Sequence, residues 1–260
     1  MNKNHDLEFD PIKRFSDRVE SYVKYRPGYP EEILPGLESE CGLSNEHIIA
    51  DIGSGTGILS EMFLKSGYTV WGVEPNYEMR AAAEKLLAKY AQFTSIDGRA
   101  ESTTLQNHSV DFITAAQAFH WFQQSATYVE FLRILKPNQW VVLLWNDRKT
   151  DSAQFLQNYE ILLLEYGVDY KKVDHNNIEE EFFTNFWQQG HFRQKIFENS
   201  QVLDYPALKG RLLSSSYAPA AGHPDHDSML KQLKQLFDEF EVDGHVTIDY
   251  DTKMYFGQLS

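Results

Sequence analysis

Between residues 47 and 146, short apolar runs alternate with longer segments whose apolar residues recur every three or four positions. The short runs predict buried strands, and the longer recurrence predicts helices with one face in a core. Strands are predicted in "HIIADIG", "YTVWGVE", "QFTSI", "VDFITAAQAF" and "QWVVLLWN". Helices are predicted in "ILSEMFLKSG", in "NYEMRAAAEKLLAKYA" with Asn76 as N-cap, and in "SATYVEFLRILKPNQ", closed by Pro137. This alternation indicates a parallel sheet with helices on both faces.

The pattern after residue 150 is different. Helices are predicted in "SAQFLQNYEILLLEYG" and "DSMLKQLKQLFDEF", and strands in "FRQKIFENSQVLDY" and "HVTIDYDTKMYFG". These two strands can extend the sheet as an antiparallel edge. No repeat or Gly/Ser-rich linker divides the chain, so a single domain over 1–260 is expected. Its parts are predicted as an N-terminal cap (1–40), a core (41–150), an inserted cap (151–190) and a C-terminal part that completes the sheet (191–260).

Charge and composition exclude several classes of function. The chain has 38 acidic and 24 basic residues, a formal net charge of -14, and no run of Lys or Arg. A nucleic-acid partner is therefore not expected, because this charge repels phosphate backbones. The single cysteine, Cys41, leaves no cysteine-based zinc site. No apolar stretch reaches the roughly 18 residues of a membrane span, and no signal peptide is recognisable. We expect a cytoplasmic protein without a membrane partner, and the sequence predicts no oligomeric state.

Three glycines, Gly53, Gly55 and Gly57, stand at every second position directly after the first predicted strand. A dinucleotide-binding loop follows the pattern G-x-G-x-x-G, which would need glycine at Ile58 or Ser60. The P-loop pattern also fails, because no Lys-Ser or Lys-Thr pair follows. The loop therefore offers bare backbone at a strand end, against which a ligand can lie, without a known phosphate-binding pattern.

Two acids flank this loop. Asp51 precedes it and would face a cationic group, and Glu74 ends the second predicted strand 19 residues after Gly55. An acid at that strand end accepts hydrogen bonds from both hydroxyls of a ribose in nucleotide-binding sheets. A ligand with a ribose, a positive charge and no phosphate satisfies these conditions, and S-adenosylmethionine is such a ligand. The alternative is that the glycines mark a tight turn and the acids are solvated strand ends.

Several ordered motifs resemble those of one family. They are "ADIGSGTG", "VWGVEPNYEM", "DGRAES", "SVDFITAAQAFHWF" and "RILKPNQWVVLLWNDR", between about residues 47 and 148. Together they resemble the class I S-adenosylmethionine-dependent methyltransferases, and more narrowly their small-molecule type 11 branch. The resemblance implies an α/β, Rossmann-like sheet of seven strands in the order 3-2-1-4-5-7-6, mostly parallel with the last strand antiparallel. Helices would cover both faces, and a helical cap would lie over the site.

The resemblance also implies which residues contact the cofactor. The loop residues Gly53, Ser54, Gly55 and Gly57 would lie against its amino-acid end, and Glu74 would bind the ribose hydroxyls. The remaining implied contacts are Tyr25, Arg26, Pro75, Asn76, Met79, Arg99, Ala100, Glu101, Gln117 and Ala118. Among these, Arg26 would pair with the cofactor's carboxylate, although "YRPGYP" is equally well explained as a rigid turn.

The acceptor is expected beyond the fourth predicted strand, where "AAQAFHWF" ends. Methyl transfer is an in-line displacement that needs alignment, exclusion of water and, for some acceptors, removal of a proton. His120 is the candidate general base, and a structural role for its ring is the alternative. Trp121, Trp145 and Asn146 are candidates for the acceptor pocket.

Competing functions are a catalytically silent module that binds S-adenosylmethionine, and a nicotinamide-dependent oxidoreductase. Glycine spacing argues against the oxidoreductase. No metal site is expected, because "GHPDHDS" is better explained as the lead-in to a helix and Asp147 stands alone at its strand end. The sequence therefore predicts transfer of a methyl group to a small molecule and leaves that molecule unnamed.

Overall fold

The computed structural model describes residues 19–168, 170, 180–187 and 192–259. Seven strands form one sheet: β1 (Ile48–Ile52), β2 (Thr69–Val73), β3 (Phe93–Ile96), β4 (Val110–Ala116), β5 (Leu135–Arg148), β6 (Phe192–Leu203) and β7 (Val246–Gln258). Their order is β3-β2-β1-β4-β5-β7-β6. The strands from β1 to β5 are parallel, and β7 runs antiparallel to both β5 and β6. The predicted order and the antiparallel last strand are confirmed.

Helices cover the sheet and extend beyond it. They are α1 (Val19–Tyr25), α2 (Ile33–Cys41), α3 (Ile58–Lys65), α4 (Tyr77–Leu87), α5 (Gln124–Ile134), α6 (Gln154–Tyr166), α7 (Glu180–Phe186), α8 (Tyr205–Leu213) and α9 (His226–Phe240). A short 3-10 helix, Phe119–Trp121, lies between β4 and α5. The predicted cap of α4 is confirmed, since the side chain of Asn76 accepts a hydrogen bond from the N–H of Met79 at 2.8 Å.

The predicted end of α5 at Pro137 is wrong. The helix ends at Ile134, and β5 begins at Leu135, which pairs with Val110 of β4. The register of this pair shifts between Val110 and Phe112. Proline lacks the N–H that a regular ladder needs, and it is tolerated at such irregularities. The pairing of Leu135 with β4 therefore draws the chain into the sheet before the proline is reached.

Two apolar cores lie on opposite faces of the sheet. Alternate residues of a strand point to opposite faces, and β5 shows this directly. Val141 and Leu143 pack into one core, while Val142 and Leu144 pack into the other. Both cores are closed by helices, so the sheet is buried on both faces as an α/β architecture requires.

A third core lies beside the sheet. The apolar face of α6, with Phe155, Tyr159, Leu162 and Leu163, packs against α8, α9 and the first half of β7. The apolar side chains of this face are therefore buried in helix packing. The inserted cap predicted over 151–190 is described only in part, because residues 169, 171–179 and 188–190 lie outside the described residues. Residues 1–18 of the predicted N-terminal cap also lie outside them, so the division into parts stays a prediction.

Among the described residues, no helix combines the length and the apolar character needed to cross a bilayer.

Helix α1 approaches α8 so closely that only glycine fits at one contact. A Cβ atom on Gly210 would lie 2.1 Å from two ring carbons of Tyr25. Overpacking costs about 1–3 kcal/mol, more than the helical preference of Ala over Gly, which is at most about 1 kcal/mol. We therefore expect Gly210→Ala to lower the free energy of unfolding, measured by urea denaturation.

Gly28→Ala is the matched control, because no atom lies within 4 Å of its added Cβ. This control should change stability by no more than about 0.5 kcal/mol. Equal effects of the two substitutions would contradict the close contact between α1 and α8.

Candidate functional site

A cleft opens at the carboxyl ends of the parallel strands, with about 920 Å³ of empty space that includes some open solvent. Its lining comes from α1 and from the segments around the carboxyl ends of β1 to β4: Tyr22, Gly53, Gly55, Glu74, Pro75, Asn76, Met79, Arg99, Ala100, Glu101, Ala116, Gln117, Ala118, Trp121 and Phe122. The neighbours β1 and β4 connect to opposite halves of the sheet. Ligands of open α/β sheets bind at such a switch point.

The three glycines of the loop after β1 have different roles. All have positive φ angles, of 67° at Gly53, 57° at Gly55 and 86° at Gly57. A Cβ on Gly53 would lie 2.7 Å from the Cβ of Ala118, and one on Gly57 would lie 2.6 Å from Leu87. A Cβ on Gly55 would meet no atom within 4 Å. The outer two glycines are therefore required by packing, whereas the middle one presents bare backbone to the cleft.

Glu74 connects this loop to β2. Its Oε2 atom accepts a hydrogen bond from the N–H of Gly55 at 2.9 Å, and its Oε1 atom accepts one from Asn76 at 2.8 Å. Burial raises the pKa of Glu74, and the hydrogen bonds from Asn76 and Gly55 oppose that shift. Each oxygen of a carboxylate can accept about two hydrogen bonds. The carboxylate, which is 8% exposed, thus keeps acceptor capacity on the side that lines the cleft.

The segment after β3 is held by hydrogen bonds to a residue of α5. Glu130 of α5 accepts hydrogen bonds from the N–H and the hydroxyl of Thr103, at 2.7 and 2.6 Å. Burial opposes ionisation of Glu130, but Arg133 and Thr103 outweigh it and lower its pKa to about 2. Glu101 accepts a hydrogen bond from the N–H of Gln123 at 2.7 Å. This bond joins the segments after β3 and β4 at the edge of the cleft.

The end of β4 carries a strained residue. Gln117 has a φ angle of 55°, which is uncommon for a residue other than glycine. Its N–H donates to the carbonyl of Leu144 at 2.9 Å, and its Nε2 donates to the carbonyl of Asn146 at 3.3 Å. These hydrogen bonds to β5 stabilise the unfavourable backbone conformation of Gln117. Residues in such conformations concentrate at functional sites.

Asp51 does not line the cleft. It is 1% exposed and accepts hydrogen bonds from the hydroxyls of Ser60, at 2.6 Å, and Thr114, at 3.2 Å. Burial raises its pKa from 3.8 to about 6. The sequence predicted that Asp51 would face a cationic group, but its side chain is bonded to two buried hydroxyls and lies outside the lining of the cleft.

Most predicted site residues come together around the cleft. Those in its lining are Gly53, Gly55, Glu74, Pro75, Asn76, Met79, Arg99, Ala100, Glu101, Gln117, Ala118 and Trp121. Those outside its lining are Tyr25, Arg26, Asp51, Ser54, Gly57, His120, Trp145 and Asn146. The roles predicted for the lining residues in binding a cofactor stay predictions.

The two pocket candidates on β5 have structural contacts instead. Trp145 is 2% exposed, and its ring lies 5.5 Å from that of Phe183 and 5.9 Å from that of Tyr255. The Nδ2 atom of Asn146 donates to the carbonyl of Gly28 at 3.1 Å, and its Oδ1 accepts from the hydroxyl of Thr252. Trp145 belongs to the core, and Asn146 holds the turn that follows α1.

Three residues of the lining, Tyr22, Ala116 and Phe122, were not among the predicted site residues. Tyr22 lies one helical turn before Tyr25 on α1, and that spacing was the available signal. Ala116 directly precedes Gln117, so its position at the strand end could have been noticed. The candidate base His120 lies next to the lining residue Trp121, with 4.7 Å between the centroids of their rings.

The residues that the structure describes contain no group of three His, Cys, Asp or Glu side chains arranged to hold a metal ion.

Comparison with known proteins matches part of the chain to a methyltransferase family model and to relatives named as methyltransferases. Residues 50–143 match the type 11 family model described as a methyltransferase domain. An uncharacterized methyltransferase-like protein of Schizosaccharomyces pombe is 31% identical over 61% of this chain and 60% of its own length. An uncharacterized methyltransferase of Mycobacterium bovis is 33% identical over 52% of each chain. The matches thus span about half to three fifths of these relatives.

A solved structure has the same fold. The putative type II methyltransferase of Anaeromyxobacter dehalogenans superposes with a TM-score of 0.67 over 90% of this chain and 98% of its own, at 19% identity.

The raised pKa of Asp51 predicts a pH dependence of stability. A folded carboxyl group with a pKa of about 6 holds its proton more tightly than the unfolded one at 3.8. Its stabilising contribution is complete below about pH 4 and is lost as the pH rises to about 6, a change of about 3 kcal/mol. The free energy of unfolding of the wild type minus that of Asp51→Asn should fall over this range. A difference that is independent of pH would contradict the assignment.

Proposed function

As the chain carries a type 11 methyltransferase domain in a class I fold, we propose that it transfers the methyl group of S-adenosylmethionine to a small-molecule acceptor. The observation that carries this proposal is the position of Glu74. Its buried carboxylate lines the cleft, and both of its oxygens are fixed by backbone N–H groups. A carboxylate at the end of β2 is placed to accept hydrogen bonds from the two hydroxyls of a ribose.

The same contact argues against a phosphate ligand. In a phosphate-binding loop, free backbone N–H groups point at the anion. Here the N–H of Gly55 already donates to Glu74. A phosphate at this loop would lie beside a carboxylate and would be repelled by it. A cationic nucleoside is attracted by the same charge.

The residues that line the cleft form two groups, one near the ends of β2 and β3 and one near the ends of β1 and β4. Met79 and Ala100 are buried apolar residues beyond the ends of β2 and β3, and they suit an adenine ring. Gly53, Gln117 and Ala118 lie at the ends of β1 and β4 and would hold the amino-acid end of the donor. When bound, S-adenosylmethionine supplies an activated methyl group on a sulfonium. The protein's part is to align the acceptor with that group and to exclude water.

The acceptor side is proposed at Trp121 and Phe122, which line the cleft beyond β4. Their apolar rings would exclude water from the reacting atoms. We also propose that the methyl acceptor is a small molecule and not a nucleic acid, because the net charge of -14 opposes binding of a polyanion.

Glu74→Gln should weaken binding of S-adenosylhomocysteine, measured by isothermal titration calorimetry. Replacing the carboxylate by an amide removes its negative charge. It also places an NH2 donor opposite one of the two ribose hydroxyls, where the carboxylate offered an oxygen acceptor. Loss of a hydrogen bond to a charged group costs about 1.5–3 kcal/mol, which corresponds to a loss of about tenfold to hundredfold in affinity.

Glu46→Gln is the control, because this side chain is exposed in the loop before β1. Unchanged affinity in Glu74→Gln would overturn the ribose assignment. Tight binding of NADH without binding of S-adenosylhomocysteine would overturn the proposed donor. Donor binding without methylation of any acceptor in a broad panel would favour a regulatory module over an enzyme.

His120 is tested by substitution with Gln once an acceptor is known. A general base contributes about 10²- to 10⁴-fold to a rate. We therefore expect His120→Gln to lower kcat by at least about a hundredfold with KM for the donor unchanged, if His120 removes the acceptor's proton. A loss of only a few fold would assign its ring a structural role.

A further inference from the structure

A tight turn carries the part of the cleft lining that follows β3. The N–H of Arg99 donates to the carbonyl of Ser102 at 3.1 Å, and the N–H of Ser102 donates back to the carbonyl of Arg99 at 3.0 Å. Ala100 and Glu101 therefore form the tip of this turn, and both line the cleft. Within the described part of the chain, no hydrogen bond uses the N–H groups of these two tip residues. The tip thus offers backbone donors to a ligand.

The two ends of the turn are in contact, but its beginning is weakly anchored. A Cβ atom on Gly98 would lie 2.7 Å from the carbonyl oxygen of Thr103, so only glycine fits where the chain enters the turn. Just before it, Asp97 pairs with Arg80 at 3.0 Å, and the side chain of Asp97 is 73% exposed. An exposed ion pair contributes little to stability. The position of the turn therefore depends on what holds Thr103, where the chain leaves it.

Thr103 is held by a buried acid of α5. Its N–H and its hydroxyl both donate to the Oε1 atom of Glu130, and both residues are buried. The side chain of Arg133 binds both oxygens of Glu130, at 2.7 and 2.8 Å, and also donates to the carbonyl of Leu105 at 2.7 Å. Hydrogen bonds to an ionised group are the strong ones. One acid–base pair thus fixes the end of the turn at two points.

The charge of this pair suits a role in positioning. A buried ion pair can often be replaced by apolar residues without loss of stability, so the fold alone does not call for an ionised acid at Glu130. Two short bonds to one oxygen atom do allow only a narrow range of positions for Thr103. The second link between α5 and the turn, from the N–H of Gln123 to Glu101, is exposed. The buried link is therefore the one that solvent does not weaken.

We propose that Glu130 is a positioning residue for the methyl donor, and that through Thr103 it fixes the tip formed by Ala100 and Glu101 against the base of the nucleoside. Glu130 does not line the cleft, so it acts through the turn. A tip that is already in place binds a base at a lower entropic cost. This inference rests on the proposed function, because it assigns the base of S-adenosylmethionine to the cleft beside this turn.

The test compares S-adenosylhomocysteine with its analogue that carries hypoxanthine in place of adenine, by isothermal titration calorimetry on the full chain. Hypoxanthine has an N–H at N1, where adenine has an acceptor, so backbone donors at the tip should discriminate against it. We expect Glu130→Gln to weaken binding of S-adenosylhomocysteine by about tenfold or more. Binding of the analogue should weaken less, so that the ratio of the two affinities falls. A general loss of stability would leave this ratio unchanged.

Substitutions of Thr103 test the same contact from its other side. Thr103→Val removes the hydroxyl at nearly constant volume and keeps the N–H, so it should lower the ratio by a smaller amount. Thr103→Ser retains the hydroxyl and should keep the ratio of the wild type. Both variants keep the test informative if Glu130→Gln does not fold. In the double variant, the effects should not add, because both changes remove one hydrogen bond.

Glu160→Gln is the matched control. This acid of α6 pairs with Arg148 and accepts a hydrogen bond from the hydroxyl of Tyr170 at 2.9 Å, and none of the three residues lines the cleft. Its substitution should lower stability and leave both affinities within about twofold, as expected for a distant site.

An unchanged ratio in Glu130→Gln and Thr103→Val would overturn the inference and leave the proposed function in place. An equal fall of the ratio in Glu160→Gln would overturn it as well. A wild-type protein that binds neither ligand would instead overturn the proposed donor.

Discussion

The hydrogen bonds from Gly55 and Asn76 to the Glu74 carboxylate are the interaction on which the cleft depends. They tie the loop after β1 to the beginning of α4. The N–H groups of Gly53 and Ser54 bond to the carbonyl of Val73, and the bond from Gly55 to Glu74 fixes the middle of the loop as well. The bonds also hold a carboxylate in the lining of the cleft. A single buried acid thereby sets both the shape of the cleft and the sign of the charge that it prefers.

The regular part of the fold could be predicted because local periodicity and burial agree there. The strands between residues 48 and 146 are short apolar runs, and the helices between them have clear apolar faces. The order of the strands came from the family resemblance, and it agreed with this local pattern. The error at Pro137 has a nonlocal cause: Leu135 pairs with Val110, and no pattern near the proline reveals that pairing. The packing of α6 is also nonlocal, because its apolar face contacts helices that follow far along the chain.

The cleft residues could be predicted where they directly follow a strand, as Glu74 and Gln117 do. Trp145 and Asn146 were predicted at a strand end, but β5 continues to Arg148, and neither residue lines the cleft. Both belong to β5, whose carboxyl end is covered by the turn after α1 and paired with β7. Position at a strand end therefore predicts a ligand contact only where no other segment covers that end. The partner of Arg26 was not predictable either, because its guanidinium donates to the carbonyl of Ser214, 188 residues later in the chain.

The attachment of the N-terminal segment has a consequence for the order in which the chain can fold. Gly28 accepts a hydrogen bond from Asn199, Tyr25 accepts one from Gln201, and Arg26 donates to Ser214, across separations of 171, 176 and 188 residues. During synthesis the chain emerges from its N-terminus. Helix α1 therefore leaves the ribosome among the first described segments, but its anchoring partners arrive later, first with β5 and then with β6 and the end of α8. The wall of the cleft formed by Tyr22 is completed late, so a nascent chain that already has its glycine loop still lacks a closed binding site.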